Sequence, residues 1–217
     1  FGYGGAGNAS TPTLQTLGNV APLYMNWIGT WADCQRPDGG MPHTAPNPYP
    51  AGGGPYWCTF IIPAAWHTYI NYGDRRLIDR YYPNMQKWIE YAEAHSVDGI
   101  LKDWGETDYR SWYLGDWAVP HETIDQQDPR SIDLVSNCVL SDAYATMAKI
   151  AAVLGKDDEV QKYQKRHEEH NALIHKTYFN EKDNSYASCS QTDLIYPMLV
   201  GATPESKIAD VESTLFD

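Results

Sequence analysis

Residues 59–95 read TFIIPAAWHTYINYGDRRLIDRYYPNMQKWIEYAEAH. The first half is apolar and stops at Gly73, the residue type favoured directly after a helix, and Asp74 is a good helix-capping residue. Large apolar side chains then recur at three- and four-residue spacing, which is typical of a helix with one buried face. They are Leu77, Ile78, Tyr81, Met85, Trp88, Ile89 and Tyr91. The stretch predicts a hairpin of two helices, with Pro83 placed to kink the second.

The same signals for helix starts and ends recur along the chain. Two helices are predicted within residues 11–35, with a break at 18–22, and a long helix runs from Ser131, its predicted N-cap, to Leu154. Further helices follow to about residue 178, from 191 to 200, and from Thr203-Pro204 onwards. No strand-like alternation of useful length is present, which excludes βαβ architectures. The pattern predicts stacked helical hairpins, as in a closed toroid or an open solenoid, and long loops on alternate connections favour the toroid.

Composition narrows the classes of function. The 217 residues hold 16 Lys and Arg against 28 Asp and Glu, a formal charge of -12 that disfavours binding to nucleic acid or to anionic membranes. The chain has eight Trp and sixteen Tyr but only four Phe. Trp and Tyr rings combine apolar faces with a polar edge, so they suit sugar binding as well as packing between helices. The four cysteines show no metal-ligand spacing, and no apolar run is long enough to cross a membrane. We therefore expect no metal, no cofactor and no membrane partner.

Two irregular segments, residues 36–55 and 96–130, are the candidates for a functional site. The first is rich in Pro and Gly, and the second in Asp, Trp and Gly. Long connections within a compact domain usually build a site. Glycoside hydrolysis requires one protonated carboxyl to assist the leaving oxygen and a second carboxylate to activate water or to attack. The candidate carboxylates in and beside these segments include Asp33, Asp38, Asp103, Glu106, Asp108, Asp116 and Glu122.

Short motifs follow one another in a fixed order over most of the chain. They are Asp33, Gln35, Asp38-Gly39, Pro42, the run Gly52-Gly-Gly-Pro-Tyr-Trp57, Pro63, Tyr72-Gly73-Asp74, Tyr82, Met85, Trp88 and Gly115-Asp116-Trp117. This ordered set resembles the catalytic domain of bacterial α-L-rhamnosidases. The opening residues 1–5, FGYGG, are similar to the tail of an acidic signature in that family. Each motif alone is unspecific, and the specificity lies in their order.

The resemblance implies an all-α (α/α)6 toroid of helical hairpins, incomplete in this chain, with residues 1–217 as one partial domain. It implies a glycosidase that removes terminal α-L-rhamnose or a related sugar with inversion. The family pattern places the general acid before Phe1 and the general base after Asp217, so no catalytic residue is assigned here. Two positions depart from the pattern: Ala6 stands where the tail normally ends in Asp, and Cys58-Thr59 follows Trp57 where the family often has Asp.

Substrate contacts are expected from Tyr3, Trp57, Asp116 and Trp117. The resemblance places aromatic walls around the sugar at the three rings, whose faces suit the C–H faces of a pyranose, with ordinary packing as the alternative. Asp116 is expected to bind sugar hydroxyls or to tune a neighbouring acid, with the capping of a turn as the alternative.

Structural roles are expected for several other polar residues. Asp38-Gly39 is a common turn pair, and Asp33 near a helix end is expected to brace the loop. The histidines on helices lack the spacing for zinc. Among the loop histidines, His121 beside Glu122 is a better polar candidate than His43.

Two other classes of function stay open on sequence alone. Ala6 and the Cys58-Thr59 pair favour a noncatalytic carbohydrate-binding relative of the same fold. A helical scaffold for protein partners is the third class, which the acidic and aromatic loops disfavour. A carbohydrate, such as a rhamnose-containing glycan or glycoside, is the expected partner in the first two. Localisation stays open, with the periplasm or the exterior preferred to the cytoplasm.

Overall fold

The computed structural model describes residues 2–48, 51–52, 54–103, 110–111, 113–116 and 128–216. The helices in these ranges are α1 Gly4–Leu17, α2 Ala21–Asp33, α3 Pro55–Cys58, α4 Ile61–Tyr72, α5 Arg76–Ala94, α6 Pro129–Val153, α7 Asp157–Tyr178, α8 Gln191–Leu199 and α9 Glu205–Phe216. The strands are two-residue pieces: β1 Ala51–Gly52, β2 Ser96–Val97, β3 Ile100–Leu101, β4 Arg110–Ser111, β5 Phe179–Asn180 and β6 Ser185–Tyr186. The all-α prediction is confirmed.

The long helices form hairpins that stack side by side in two layers. Helices α1, α4, α6 and α8 pack one against the next and make the inner layer. Each is followed by a partner in the outer layer, α2, α5, α7 or α9, and α6 with α7 is the most extensive pair. In the described part of the chain this gives four consecutive stacked hairpins, the arrangement that the predicted incomplete toroid requires.

Apolar side chains fill the space between the two layers. The largest cluster joins the hairpins of α1 to α7 and has Trp31, Trp88 and Phe60 at its centre, all at most 1% exposed. A second cluster joins α6 to the later helices through Leu134 and Cys138. Trp88 also donates a hydrogen bond from Nε1 to Thr59 Oγ1 at 3.0 Å, so its polar edge is satisfied. Burial of one such indole contributes about 4–6 kcal/mol.

Two predicted helix starts were wrong. Helix α1 begins at Gly4, several residues before the apolar periodicity begins. Its glycines are poor helix formers, but close packing against α3 and α4 outweighs that propensity. Helix α6 begins at Pro129, and its N-cap is Asp128, whose carboxylate accepts from Arg130 N at 2.8 Å. Ser131, the predicted cap, lies inside the first turn and points to another helix.

Glycines at two turns have left-handed backbone conformations. Gly73 ends α4 with φ of 67°, as the sequence predicts, and a Cβ added there would meet no atom within 4 Å. Gly39 has φ of 98°, and a Cβ there would lie 2.4 Å from the carbonyl oxygen of Lys87 in α5. The turn at Asp38-Gly39 is therefore pressed against α5. No helix in the described ranges is long and apolar enough to cross a membrane.

We expect Gly39→Ala to destabilise the fold much more than Gly73→Ala. Both substitutions place a side chain on a left-handed backbone, which costs about 1–2 kcal/mol. Gly39→Ala also forces the Lys87 carbonyl to move, so its total cost should be about 3 kcal/mol or more. Chemical denaturation of the two variants and the parent measures the difference. Equal losses would show that the loop is not pressed against α5.

Candidate functional site

The connections between helices differ in length at the two ends of the hairpins. Short connections of residues 18–20, 73–75, 154–156 and 200–204 join each inner helix to its outer partner. Residues 34–54, 95–128 and 179–190 lead from an outer helix towards the next inner helix. Because every hairpin reverses the chain, the N-terminal ends of α1, α4, α6 and α8 lie on the same side. We call these ends and the long connections above them the loop rim.

The first long connection is tied to the start of α1. Tyr3 and Thr44 form an antiparallel β-bridge. Gly4 N donates to His43 O at 2.9 Å, and Ala45 N donates to Gly2 O at 3.0 Å. The same connection reaches the second one, since β1 pairs with β4 in parallel. The two irregular segments singled out in the sequence therefore meet on the loop rim.

Trp57 lies in α3, where it packs against the first turn of α1. Its side chain is 6% exposed, and a Cβ added at Gly5 would lie 2.7 Å from its Nε1. A Cβ at Gly4 would lie 2.0 Å from the Trp57 carbonyl oxygen. The glycine-rich start of α1 thus allows the two helices to approach. Tyr3, at the same rim, is 37% exposed.

Asp116 joins the second long connection to α8. Its Oδ2 accepts a hydrogen bond from Thr192 Oγ1 at 2.6 Å. Burial raises the pKa of the Tyr56 hydroxyl, and the nearby Asp116 carboxylate raises it further. Burial also raises the pKa of Tyr196 in α8, with smaller contributions from Tyr56 and Asp116. A carboxylate and two tyrosines therefore lie together at the loop rim.

Asp193 fixes the N-terminal ends of α6 and α8 to each other. Its carboxylate is fully buried and accepts from Ser131 Oγ at 2.6 Å. It also accepts from the backbone N and the Oγ of Ser188, at 2.9 and 2.6 Å. Ser190 caps α8 by accepting from Asp193 N. Hydrogen bonds to an ionised group are stronger than those between neutral groups, so this network holds the rim firmly.

A cavity of about 340 Å³ opens between the inner helices. Pockets of this size are typical of small-molecule sites. Its walls mix apolar side chains with hydroxyl, amide, imidazole and carboxylate groups. The polar lining residues are Asn8, Thr11, Tyr56, Thr59, His67, Asp142, Thr146 and Tyr196. The Oδ1 atom of Asn8 is buried without a hydrogen-bond partner, while its Nδ2 donates to Tyr56 O.

His67 of α4 and Asp142 of α6 form the ionisable pair of this cavity. Burial lowers the pKa of His67, which the Asp142 charge partly opposes. Desolvation by the cavity wall raises the pKa of Asp142, although its side chain is exposed at the cavity mouth and Lys149, His167 and His67 act in the opposite direction. His67 is thus neutral at pH 7. The cavity offers hydrogen-bonding groups with little cationic charge, a setting suited to a neutral polar ligand.

Comparison with known proteins identifies the family of this fold. The family model described as the bacterial α-L-rhamnosidase six-hairpin glycosidase domain matches residues 1–217, the whole chain. The chain belongs to this family.

Named relatives agree with this assignment. An α-L-rhamnosidase of Formosa agariphila is 23% identical over 222 residues, which is 100% of this chain and 23% of that protein. One from Alteromonas sp. is 21% identical over 225 residues, 99% of this chain and 23% of that protein. The chain therefore spans less than a quarter of the length of the relatives it matches.

Solved structures share the fold. The α-L-rhamnosidase from Dictyoglumus thermophilum is 26% identical with a TM-score of 0.82, over 97% of this chain and 23% of that one. The Streptomyces avermitilis α-L-rhamnosidase, solved in complex with L-rhamnose, is 21% identical with a TM-score of 0.83. That match covers 99% of this chain and 19% of the Streptomyces chain.

The substrate-contact residues expected from the rhamnosidase resemblance differ in position and exposure. Tyr3 and Asp116 lie on the loop rim, whereas Trp57 beside them is nearly buried. Trp117, His121 and Glu122 lie outside the described residues. The roles expected for these residues stay predictions.

Asp38 and the two departures from the rhamnosidase pattern have defined surroundings. Asp38 accepts from Gly40 N at 3.0 Å and pairs with Arg36 at 2.6 Å, a structural role. Cys58 and Thr59 are buried at 2% and 3% exposure, and Ala6 is exposed in the first turn of α1. Asp33, at the end of α2, is exposed.

Sequence reasoning missed the residues that line the cavity, because they lie on helices. Asn8, His67, Asp142 and Tyr196 look like ordinary members of helical stripes. A usable signal was the polar residue within an apolar helix face, such as His67 one turn after Pro63 and Ala64. No group of three His, Cys, Asp or Glu side chains among the described residues is placed to hold a metal ion.

Asp193→Ala should destabilise the fold by about 3–5 kcal/mol, because Ser131 and Ser188 lose a charged, buried acceptor. Asp193→Asn keeps the shape and one acceptor oxygen, and its loss should be smaller. Thermal and chemical unfolding of both variants provides the measurement. If alanine and asparagine cost the same small amount, the carboxylate does not hold the rim.

Asp142→Asn should stabilise the fold slightly at pH 7, because solvent screens part of the effect at this exposed side chain. A raised pKa means that the folded state disfavours the ionised carboxylate, so Asp142 costs stability at pH values above that pKa. The gain in stability should shrink as the pH falls towards 3.8, the ordinary pKa of an aspartate, because Asp142 then becomes protonated in the unfolded as well as the folded state. Unfolding midpoints at pH 7 and pH 4 test this, with exposed Glu168→Gln on α7 as the control. A variant that is less stable at pH 7 would contradict the shift.

Proposed function

We propose that this chain is part of the catalytic toroid of a glycosidase that releases terminal α-L-rhamnose, or a related sugar, with inversion. The whole of residues 1–217 contributes to this one domain. Two observations support the proposal: both long connections meet on the loop rim, and a cavity is lined by residues of the four described inner helices. Family membership supports the reaction class.

Asp116 is the substrate-binding carboxylate in this proposal. Its bond to Thr192 orients one oxygen and connects it to α8 across 76 residues of sequence. The Asp116 carboxylate and the hydroxyls of Tyr56 and Tyr196 are group types suited to the hydroxyl groups of a sugar, which both donate and accept hydrogen bonds. Tyr3 and Trp117 supply the stacking faces. Trp57, at 6% exposure, contributes mainly by holding the wall against α1.

The general acid and base come from elsewhere in the protein in this proposal. Asp116 and Asp142 are the carboxylates near the cavity among the described residues, and both are coupled to Tyr196. Inversion needs an acid and a base on opposite sides of the sugar with room for a water molecule. The rhamnosidase pattern assigns those two roles to loops outside residues 1–217. A periplasmic or extracellular location suits an enzyme that acts on glycans.

The test is hydrolysis of p-nitrophenyl α-L-rhamnopyranoside by the full-length protein and its variants. Trp117→Ala should reduce kcat/KM by roughly tenfold to a thousandfold, because loss of a stacking wall removes binding in the transition state. Trp117→Phe keeps an apolar face and should retain much of the activity. Thr192→Val removes the hydrogen bond from Thr192 to Asp116 and should give an intermediate loss of activity.

Unchanged turnover in Trp117→Ala with an intact fold would remove that residue from the site. Proton NMR of the fresh product distinguishes inversion from retention at the anomeric carbon. Retention would contradict the proposed mechanism.

A noncatalytic carbohydrate-binding relative is the second candidate. Ala6, exposed on the rim where the family normally has Asp, is the observation that favours it. Calorimetry of the full-length protein with L-rhamnose and with plant or bacterial glycans separates the two. Binding without any hydrolysis would favour the binding protein, and turnover would exclude it.

A further inference from the structure

The third long connection, residues 179–190, approaches α8 through a strained stretch of backbone. Ala187 and Cys189 have positive φ angles of 43° and 63°, a left-handed conformation that residues other than glycine adopt only at a cost. Ser188 lies between them. Strained residues of this kind persist only where surrounding contacts hold them, and they concentrate at functional sites. The contacts that hold this segment therefore point to its role.

The Asp193 carboxylate holds the strained segment from inside the fold. It is fully buried, and its Oδ2 accepts from the backbone N of Ser188 at 2.9 Å and from Ser188 Oγ at 2.6 Å. Its Oδ1 accepts from Ser131 Oγ, in the first turn of α6, at 2.6 Å. Both oxygens are thus used within the fold. Because the carboxylate is fully buried, Asp193 does not contact a substrate itself.

Thr192, the neighbour of Asp193 in the first turn of α8, connects this network to the second long connection. Ser190 caps the turn by accepting from Asp193 N at 3.2 Å. Successive side chains point in different directions around a helix, so Thr192 faces away from Asp193. Its hydroxyl donates to Asp116 Oδ2 at 2.6 Å. A single helical turn therefore links the buried carboxylate to Asp116.

The position of Thr192 sets where the oxygens of Asp116 lie. A hydroxyl-to-carboxylate bond of 2.6 Å is short and directional. Tyr56 and Tyr196 are close enough to Asp116 for its charge to raise the pKa of both hydroxyls. A shift of Thr192 would move Asp116 relative to these two groups. Misplacement by about 1 Å can lower an enzymatic rate about a hundredfold.

We propose that Asp193 is a positioning residue for Asp116. Its buried carboxylate fixes residues 187–190 and the first turn of α8, so that Thr192 holds Asp116 in the geometry that binds substrate. The third long connection thereby takes part in the functional site, although none of its residues lines the cavity. The inference rests on the proposed function, in which Asp116 binds the sugar.

The first test is hydrolysis of p-nitrophenyl α-L-rhamnopyranoside by full-length variants, well below their unfolding temperatures. Asp193→Ala should lower kcat/KM about tenfold to a hundredfold. Asp193→Asn, which can still accept from Ser188 and can donate to Ser131, should restore most of the activity. In a Thr192→Val background, which lacks the bond to Asp116, Asp193→Ala should lower kcat/KM by less than about twofold more. Losses that pass through one shared bond are not additive.

Asp183→Ala is the matched control. Asp183 lies in the same long connection, and its carboxylate also accepts from the N and the Oγ of a serine, those of Ser185, at 3.2 and 2.6 Å. It accepts from Asn180 as well, so the side-chain bonds that it would lose lie within the β5–β6 hairpin. This variant should keep the kcat/KM of the parent. A loss equal to that of Asp193→Ala would contradict a specific role for Asp193.

A crystal structure of the full-length Asp193→Ala protein gives a readout that does not depend on turnover. Ser188→Ala, which removes one of the three bonds to the carboxylate, takes its place if Asp193→Ala does not fold. The distance from Thr192 Oγ1 to Asp116 Oδ2 should lengthen beyond hydrogen-bond range while α6 and α7 keep their positions. An unchanged distance, or fully additive losses in the double variant, would overturn the positioning role. A parent protein that hydrolyses no rhamnoside would refute the proposed function alone.

Discussion

The architecture depends on one geometric constraint: each inner helix turns back into its outer partner through a connection only a few residues long. Every inner helix therefore starts on the same side, and all longer segments must cross that side. The orphan N–H groups at these helix starts need partners, and side chains such as Asp128 and Ser190 supply some of them. Asp193 then joins two starts through one buried carboxylate. The same short turns that build the fold thus create the place where a ligand can be held.

The sequence predicts the hairpins well because their signals are local. The stripe from Leu77 to Tyr91 and the left-handed Gly73 depend on neighbours a few residues away, and both are found where expected. The start of α1 is different, since Gly4 and Gly5 are helical only because Trp57, more than fifty residues later, packs closely on them. Ser131 illustrates the same limit. It resembles a cap, but its hydroxyl is used by Asp193 on another helix.

The site was predictable only in its loops. Pro- and Gly-rich stretches of sequence predict irregular segments. In the structure, the short pairing of β1 with β4 brings two of these segments together. The cavity walls are built from helices, where a polar residue such as His67 within an apolar face gives only a weak local signal. Its role depends on Asp142, which faces it from another hairpin. Long-range pairs of this kind leave no local pattern, so the partners of Asp116 and His67 required coordinates.

The two departures from the rhamnosidase pattern differ in their structural consequences. Thr59 accepts a hydrogen bond from the buried indole of Trp88, and Cys58 Sγ lies 3.1 Å from the carbonyl oxygen of Met41. A carboxylate at Cys58 would have to be buried in a core that already satisfies its polar groups, at a cost of several kcal/mol. Thr59 instead lines the cavity, so only the change at Cys58 is coupled to core packing. Ala6 is exposed on the rim, where an aspartate would meet solvent or ligand without strain. Its absence changes the chemistry available at the rim while leaving the fold intact.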